Sequence, residues 1–525
     1  MSYHRELLTI ILVNVFAFSS FAQENIDYQV IDAIREEGFN RSQVMELASF
    51  MADVYGPRFS NSPGYNKAVQ WAVRKFKEFG IEAKMEPYGE VGIGWENKFT
   101  SVHMHEPQYM TLLAYPAPYS RGTNGKVVSR VIHLNSEEIY SEEDLKKYNS
   151  KVKGKIVFIA PERKLTLNFK PDAVRLSEEE LEEMAELRII PEKRMDRRRD
   201  RQRQERRPLP RKRIRDYLEK QGALVVVEPG GPQGPAPMDK GIVLVNSGPP
   251  ISKKAHKPMP HLIVAAEHYN RIVRILEKDI NVQMEVEVRV KYDEEDLQDY
   301  NVIAEIPGTD LRDEIVMIGG HYDGESAATG ASDNASGCAA VMEAMRILKT
   351  IDAKPRRTIR AALWGCEEAG HLGSKAYVKK HFGDPETNEF LPEYDKLSVY
   401  FNMDWYGRFR GIFLQGNDLV RPIFEAWMKP FHDVGMSWIV PGNTGGTDHM
   451  QFVRVGLPGF QFIQDDLEFF TTTFHTNADF YDRLVAEDLM QASVILASFA
   501  YNAAMRDEMI PRSKNQVKNN RRWHK

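Results

Sequence analysis

Five stretches of this 525-residue chain carry side chains able to bind a metal or move a proton. His321 and Asp323 stand two residues apart, Asp333 opens Asp333-Asn334-Ala335-Ser336-Gly337, Glu367 and Glu368 are adjacent, and Asp404 and His475 follow. Imidazole nitrogen and carboxylate oxygen are donors that zinc takes, and a catalytic zinc keeps one position open for water. Two metals about 3.5–4 Å apart can share one carboxylate between them. Two adjacent acids at a strand end diverge, so one can ligate while the other faces a water. One histidine at a strand end is ordinarily structural. Several such residues at successive strand ends point to metal chemistry instead.

These side chains need a frame, and the hydrophobic pattern supplies one. Ile315 to Gly320 is an apolar run that reads as a buried strand, with His321 at its C-terminal end, where open α/β sheets bind ligands. Thr358 to Cys366 is a second such run ending in Glu367-Glu368, and Leu397 to Met403 a third ending in Asp404. Cys338 to Leu348 has apolar residues at helical spacing, so Asp333 stands at a helix entry. Gly446-Thr447-Asp448-His449 and Phe474-His475-Thr476-Asn477-Ala478-Asp479 are loops, with Asp448 and Asp479 as supporting carboxylates. Asn301 to Ile306 begins an alternation of strands and helices, which predicts a doubly wound, mostly parallel sheet. Upstream, Asn66 to Phe79 reads as a helix closed by Gly80, and Ile81 to Pro87 as a strand.

His321-x-Asp323, Asp333-Asn334-x-x-Gly337, Trp364-Gly365-Cys366-Glu367-Glu368-x-Gly370, Asn402-Met403-Asp404 and His475-Thr476-x-x-Asp479 occur in this order. In order and spacing they resemble the co-catalytic zinc aminopeptidases, a superfamily that includes carboxypeptidase Q, glutaminyl cyclases and the transferrin receptor. The resemblance covers most of the chain after Asn301. It implies an α/β zinc-exopeptidase fold and two Zn2+ per chain, with Asp333 bridging, His321 and Asp404 completing one site, and Glu368 and His475 the other. Glu367 would be the general base that takes a proton from the attacking water and passes it to the leaving amine. Asp323 would orient His321 from behind. A cis peptide bond between Asp333 and Asn334 is also implied. One departure stands out: the tyrosine that donates to the oxyanion in simple zinc aminopeptidases is replaced here by Thr444, so the donor stays open.

Composition bounds the rest. With 42% hydrophobic residues the chain can bury a sizeable core, and a net charge of -5 gives no global reason for nucleic acid or an anionic membrane as partner. Residues 1–22 read as a secretory signal, with Arg5, an apolar stretch Leu7 to Phe18 and Ser20-Phe21-Ala22 before Gln23. Export to a periplasmic or extracellular location follows, with no integral membrane segment after cleavage. Cys338 and Cys366 are expected as buried free thiols, with a bond between the two as the alternative.

Four regions follow that leader: residues 23–117 and 289–510 as two parts of a peptidase domain, an insert at 118–288, and a basic tail at 511–525. The insert has short β-like runs at Lys126 to Leu134, Lys155 to Ala160, Ala223 to Val227 and His261 to Ala265. It resembles the protease-associated (apical) domain. Within it, 177–215 is charged, acidic from Ser177 and basic from Lys193, and reads as a self-neutralising solvated hairpin.

The reading is thus a secreted dizinc exopeptidase acting on the terminal bond of peptides or dipeptides, most simply from the amino end. Carboxypeptidase or dipeptidase action on the same site stays open. A receptor-like binding protein on this fold should have lost ligands, and a single-zinc glutaminyl cyclase would not need both His321 and Asp404. No His-Glu-x-x-His occurs to support a thermolysin-type site. The family resemblance suggests a homodimer.

Overall fold

The computed structural model describes residues 24–186, 207–231, 239–387 and 389–513. The expected signal segment, the middle of the charged stretch and nearly all of the basic tail lie outside them. Among the described residues no helix is long and apolar enough to cross a membrane.

An eight-stranded mixed sheet runs in the order Glu82–Glu90, Gln298–Ile306, Arg357–Trp364, Leu311–His321, Leu397–Asn402, Gly459–Gln464, Phe409–Phe413, Trp438–Val440. Its four central strands, from Arg357–Trp364 to Gly459–Gln464, are all parallel, and antiparallel pairings flank them. Ile315 to Ile318 are all buried, as a strand covered on both faces requires. One face carries the Ser336–Thr350 and Ala486–Met505 helices with those near the N-terminus, and the other carries Leu372–His381 and His449–Arg454. The Pro63–Glu78 helix starts where Ser62 Oγ accepts from the Tyr65 amide at 3.1 Å, with proline in its first turn.

Register fixes where the site falls. His321 is level with Trp364, Gly319 with Asn402, and Asn402 with Gln461, so the parallel strands end together along one edge. The loops that follow converge on a single crevice.

A second eight-stranded sheet is built by the inserted segment, in the order Met110–Thr111, Gly94–Glu106, Gln283–Asp293, Val127–His133, Ile156–Phe158, Val225–Pro229, His261–Val264, Ala114–Pro116. It takes its first strand upstream of the expected start at 118 and its last past 288. The reason is the long antiparallel pair of Gly94–Glu106 with Gln283–Asp293, whose inward residues Val102, Met104, Met284, Val286 and Val288 join the insert's own core.

Of the charged stretch, residues 177–186 and 207–215 are described, and each part has partners outside the stretch. The Glu178–Glu186 helix lays Leu181, fully buried, against Val440 and Ile463 of the first sheet. Just before it, Arg175 Nη1 reaches Asp465 at 2.7 Å and Asp488 at 2.8 Å. Arg211 and Arg215, on the Arg211–Lys220 helix, pair with Glu228 inside the insert. The two described helices thus find separate partners, because each has apolar residues to bury, Leu181 and Met184 on one and Ile214 and Leu218 on the other.

Candidate metal centre and active site

His321, at the end of its strand, places Nε2 3.0 Å from Asp333 Oδ1 and 3.4 Å from Asp404 Oδ1. Its Nδ1 donates to the main-chain oxygen of Asp323 at 3.2 Å, which turns Nε2 toward the acids. The Asp323 carboxylate lies 3.7 Å from that same nitrogen, and also accepts from the Glu367 amide at 3.0 Å, the Glu368 amide at 3.3 Å and the Ser60 hydroxyl at 2.7 Å. Asp323 orients the imidazole through its backbone and fixes the two-glutamate turn through its side chain.

Asp333 is held from behind. The amides of Ser332 and Asp333 donate to the Asp479 carboxylate at 2.6 and 3.1 Å, and the Asp333–Asn334 bond is cis. Asn334 caps the following helix, its Oδ1 accepting from the Gly337 amide at 3.1 Å. A Cβ on Gly337 would stand 2.2 Å from that oxygen, so only glycine fits. With its backbone so placed, Asp333 turns Oδ2 toward His475 Nε2 at 3.4 Å while Oδ1 faces His321. Glu368 Oε2 approaches His475 Nε2 at 2.9 Å.

Glu367 diverges from Glu368, as expected of neighbours. Its Oε1 lies 3.0 Å from His371 Nε2, four residues on. Burial pushes the Glu367 carboxyl up, with His321 and His371 pulling the other way. Burial also works against a charge on His371, yet the hydrogen bond and charge of Glu367 lift its pKa to about 9. Asp448 accepts from the Ser374 hydroxyl at 2.5 Å, and burial carries its pKa to about 8.

Two residues of this neighbourhood were not anticipated from sequence. His371 gives no signal beyond its i,i+4 spacing from Glu367. Glu325 continues the alternation of His321 and Asp323; it is buried, accepts from the amide and hydroxyl of Ser247 at 2.8 and 2.6 Å, and lies 3.8 Å from His475 Nδ1. Burial brings its carboxyl up to about 7.

Whether these groups fit metal can be judged from their unmet valences. Asp333 Oδ2 and Glu368 Oε1 are buried without a hydrogen-bond partner, a costly state for carboxylate oxygens that a cation relieves. His321, Asp333 and Glu368, and likewise Glu325, Glu368 and His475, each bring one ligand atom within 4.8 Å of the others. Burial opposes charge on His321, but Asp404 and Glu367 carry its pKa well above the ordinary range, the mark of an anionic pocket. Imidazole and carboxylate donors so disposed fit zinc. Cys338 and Cys366 are free and buried; the Cys338 thiol donates to the His321 carbonyl.

A mixed α/β sheet with a parallel centre, and at its C-terminal edge a carboxylate facing two histidines, accords with the class to which the comparisons point: the co-catalytic zinc aminopeptidase and carboxypeptidase Q superfamily. Residues 301–500 match the model of peptidase family M28. Carboxypeptidase Q of Bos taurus is 28% identical over 218 residues, 42% of this chain and 44% of that protein, so the match spans under half the length of this relative. The structure titled as a peptidase M28 precursor from Shewanella amazonensis SB2B shares 22% identity with a TM-score of 0.63, covering 92% of this chain and 98% of that one. BSAP, a zinc aminopeptidase from Bacillus subtilis, shares 18% with a TM-score of 0.55, covering 88% and 95%.

Proposed function

We propose that this protein is a zinc-dependent exopeptidase that hydrolyses the terminal bond of peptides or dipeptides. One observation carries the reading: Asp333 turns one carboxylate oxygen to each of two histidines, His321 and His475, from a backbone held on both sides. Asp333 would bridge two ions, with His321 and Asp404 on one and Glu368 and His475 on the other. Zinc, when bound, supplies Lewis acidity and lowers the pKa of water.

The chain's own residues do the rest. Glu367, free of the ligand set, takes the proton of the attacking water and returns it to the leaving amine. His371 holds that carboxylate by its Nε2. Asp323 keeps both glutamates on their turn, so that base and ligand stay a fixed distance apart.

The test is metal analysis with kinetics. The purified protein should hold two zinc ions per chain, and Glu367→Gln should keep both while turnover falls on the order of 10²–10⁴. One ion or none in zinc-replete protein, or near-normal turnover in the variant, would overturn the assignment. A panel of aminoacyl-nitroanilides against blocked and free dipeptides then separates amino-end from carboxyl-end action.

A further inference from the structure

The insert reaches into the metal centre through the strap at residues 243–247. Val243 exchanges hydrogen bonds with Asn477, its amide donating to Oδ1 at 2.6 Å and its carbonyl accepting from the Asn477 amide at 3.1 Å. Leu244 pairs with Thr476, and the Val245 amide donates to the His475 carbonyl at 3.0 Å. Next in line, Asn246 Oδ1 lies 2.9 Å from His475 Nδ1, and Ser247 holds Glu325. Val243 and Val245 are buried against Ala327, so the strap is seated on the loop that follows His321.

His475 needs such support. Its φ of +57° lies in the left-handed region, sparsely occupied by residues other than glycine and kept only where the surroundings fix it. The strap fixes both its carbonyl and its ring. With Nδ1–H donated to an amide oxygen, Nε2 is the nitrogen left facing Asp333 and Glu368, and the one that would ligate a cation there.

We infer that Asn246 is a positioning residue for His475, and that the insert thereby completes one of the two metal sites. This rests on the two-metal reading above. Asn246 is exposed, so substitution there spares the core.

The experiment is a titration of the metal-free, full-length protein with Co2+, followed by calorimetry and by the visible spectrum. The unaltered protein should take up two ions. Asn246→Ala should weaken one by 10–100-fold, the usual effect of losing such a partner, and leave the other in place. Asn246→Asp, which keeps an acceptor, should restore affinity to within a few-fold. Two ions bound by Asn246→Ala as tightly as by the parent would overturn the role of Asn246 and leave the two-metal reading standing. Equal weakening of both sites would reduce Asn246 to a general structural part and also overturn it. Uptake of only one ion by the parent would overturn both readings together.

Discussion

The pairing of Glu367 with His371 makes the proposed base an adjustable group. A positive imidazole 3.0 Å away favours the ionised carboxylate, while burial disfavours it. His371→Gln keeps a donor but removes the charge, so the Glu367 pKa should rise further. Because the base must be deprotonated to act, the acidic limb of the kcat/KM profile should move to higher pH, by on the order of one unit. An unmoved limb would mean that the limb reports another group. The seven residues of the candidate site could be singled out because metal chemistry restricts residue types and strand ends restrict positions. His371, Glu325 and Asn246 were not, since an imidazole one turn away, a loop acid and an asparagine 229 residues from its partner have no pattern of their own.

Among elements, the parallel strands were readable from their apolar runs, and the insert from its change of rhythm. What could not be read was docking. Leu181 is the one fully buried residue on the Glu178–Glu186 helix, with Met184 packed beside it, and the surface that receives it comes from strands more than 250 residues later. Removing 177–213 as a unit would strip that contact and the pairing of Arg211 with Glu228. The neighbouring Arg175 is a sharper probe. Asp465 and Asp488 are wholly buried, and each keeps one other arginine, Arg410 or Arg408, at 3.1 and 3.2 Å. Breaking a buried pair outright costs roughly 3–5 kcal/mol, so with these second partners Arg175→Ala should cost about 1–3 kcal/mol, read from denaturant unfolding. No loss of stability would show that the remaining arginines suffice.

At the scale of the whole molecule, stability should carry the signature of buried acids. Asp299 sits inside the first sheet, with Oδ1 accepting from the Tyr300 amide at 2.7 Å and Oδ2 without a hydrogen-bond partner. Burial pushes its carboxyl up to about 7. Between about pH 4 and that value the native state keeps a proton that the unfolded chain has released, so this group's contribution falls as pH rises through the window. Asp299→Asn should flatten that decline and be more stable than the parent at pH 8, by on the order of 2–4 kcal/mol, as followed by Tm against pH. An unchanged slope would assign the decline elsewhere.

The insert enters and leaves the molecule side by side: Gly94 lies opposite Asp293, and the Val91 amide donates to the Leu297 carbonyl at 3.0 Å. In terms of construction it is a cassette, since a single deletion closed by a tight turn between those neighbours would leave the first sheet unbroken. Yet the loop from His475 to Asn477 is held by residues inside the cassette. Such a module cannot be cut out without a cost elsewhere, because its loss would leave the ring and the carbonyl of His475 in need of new partners.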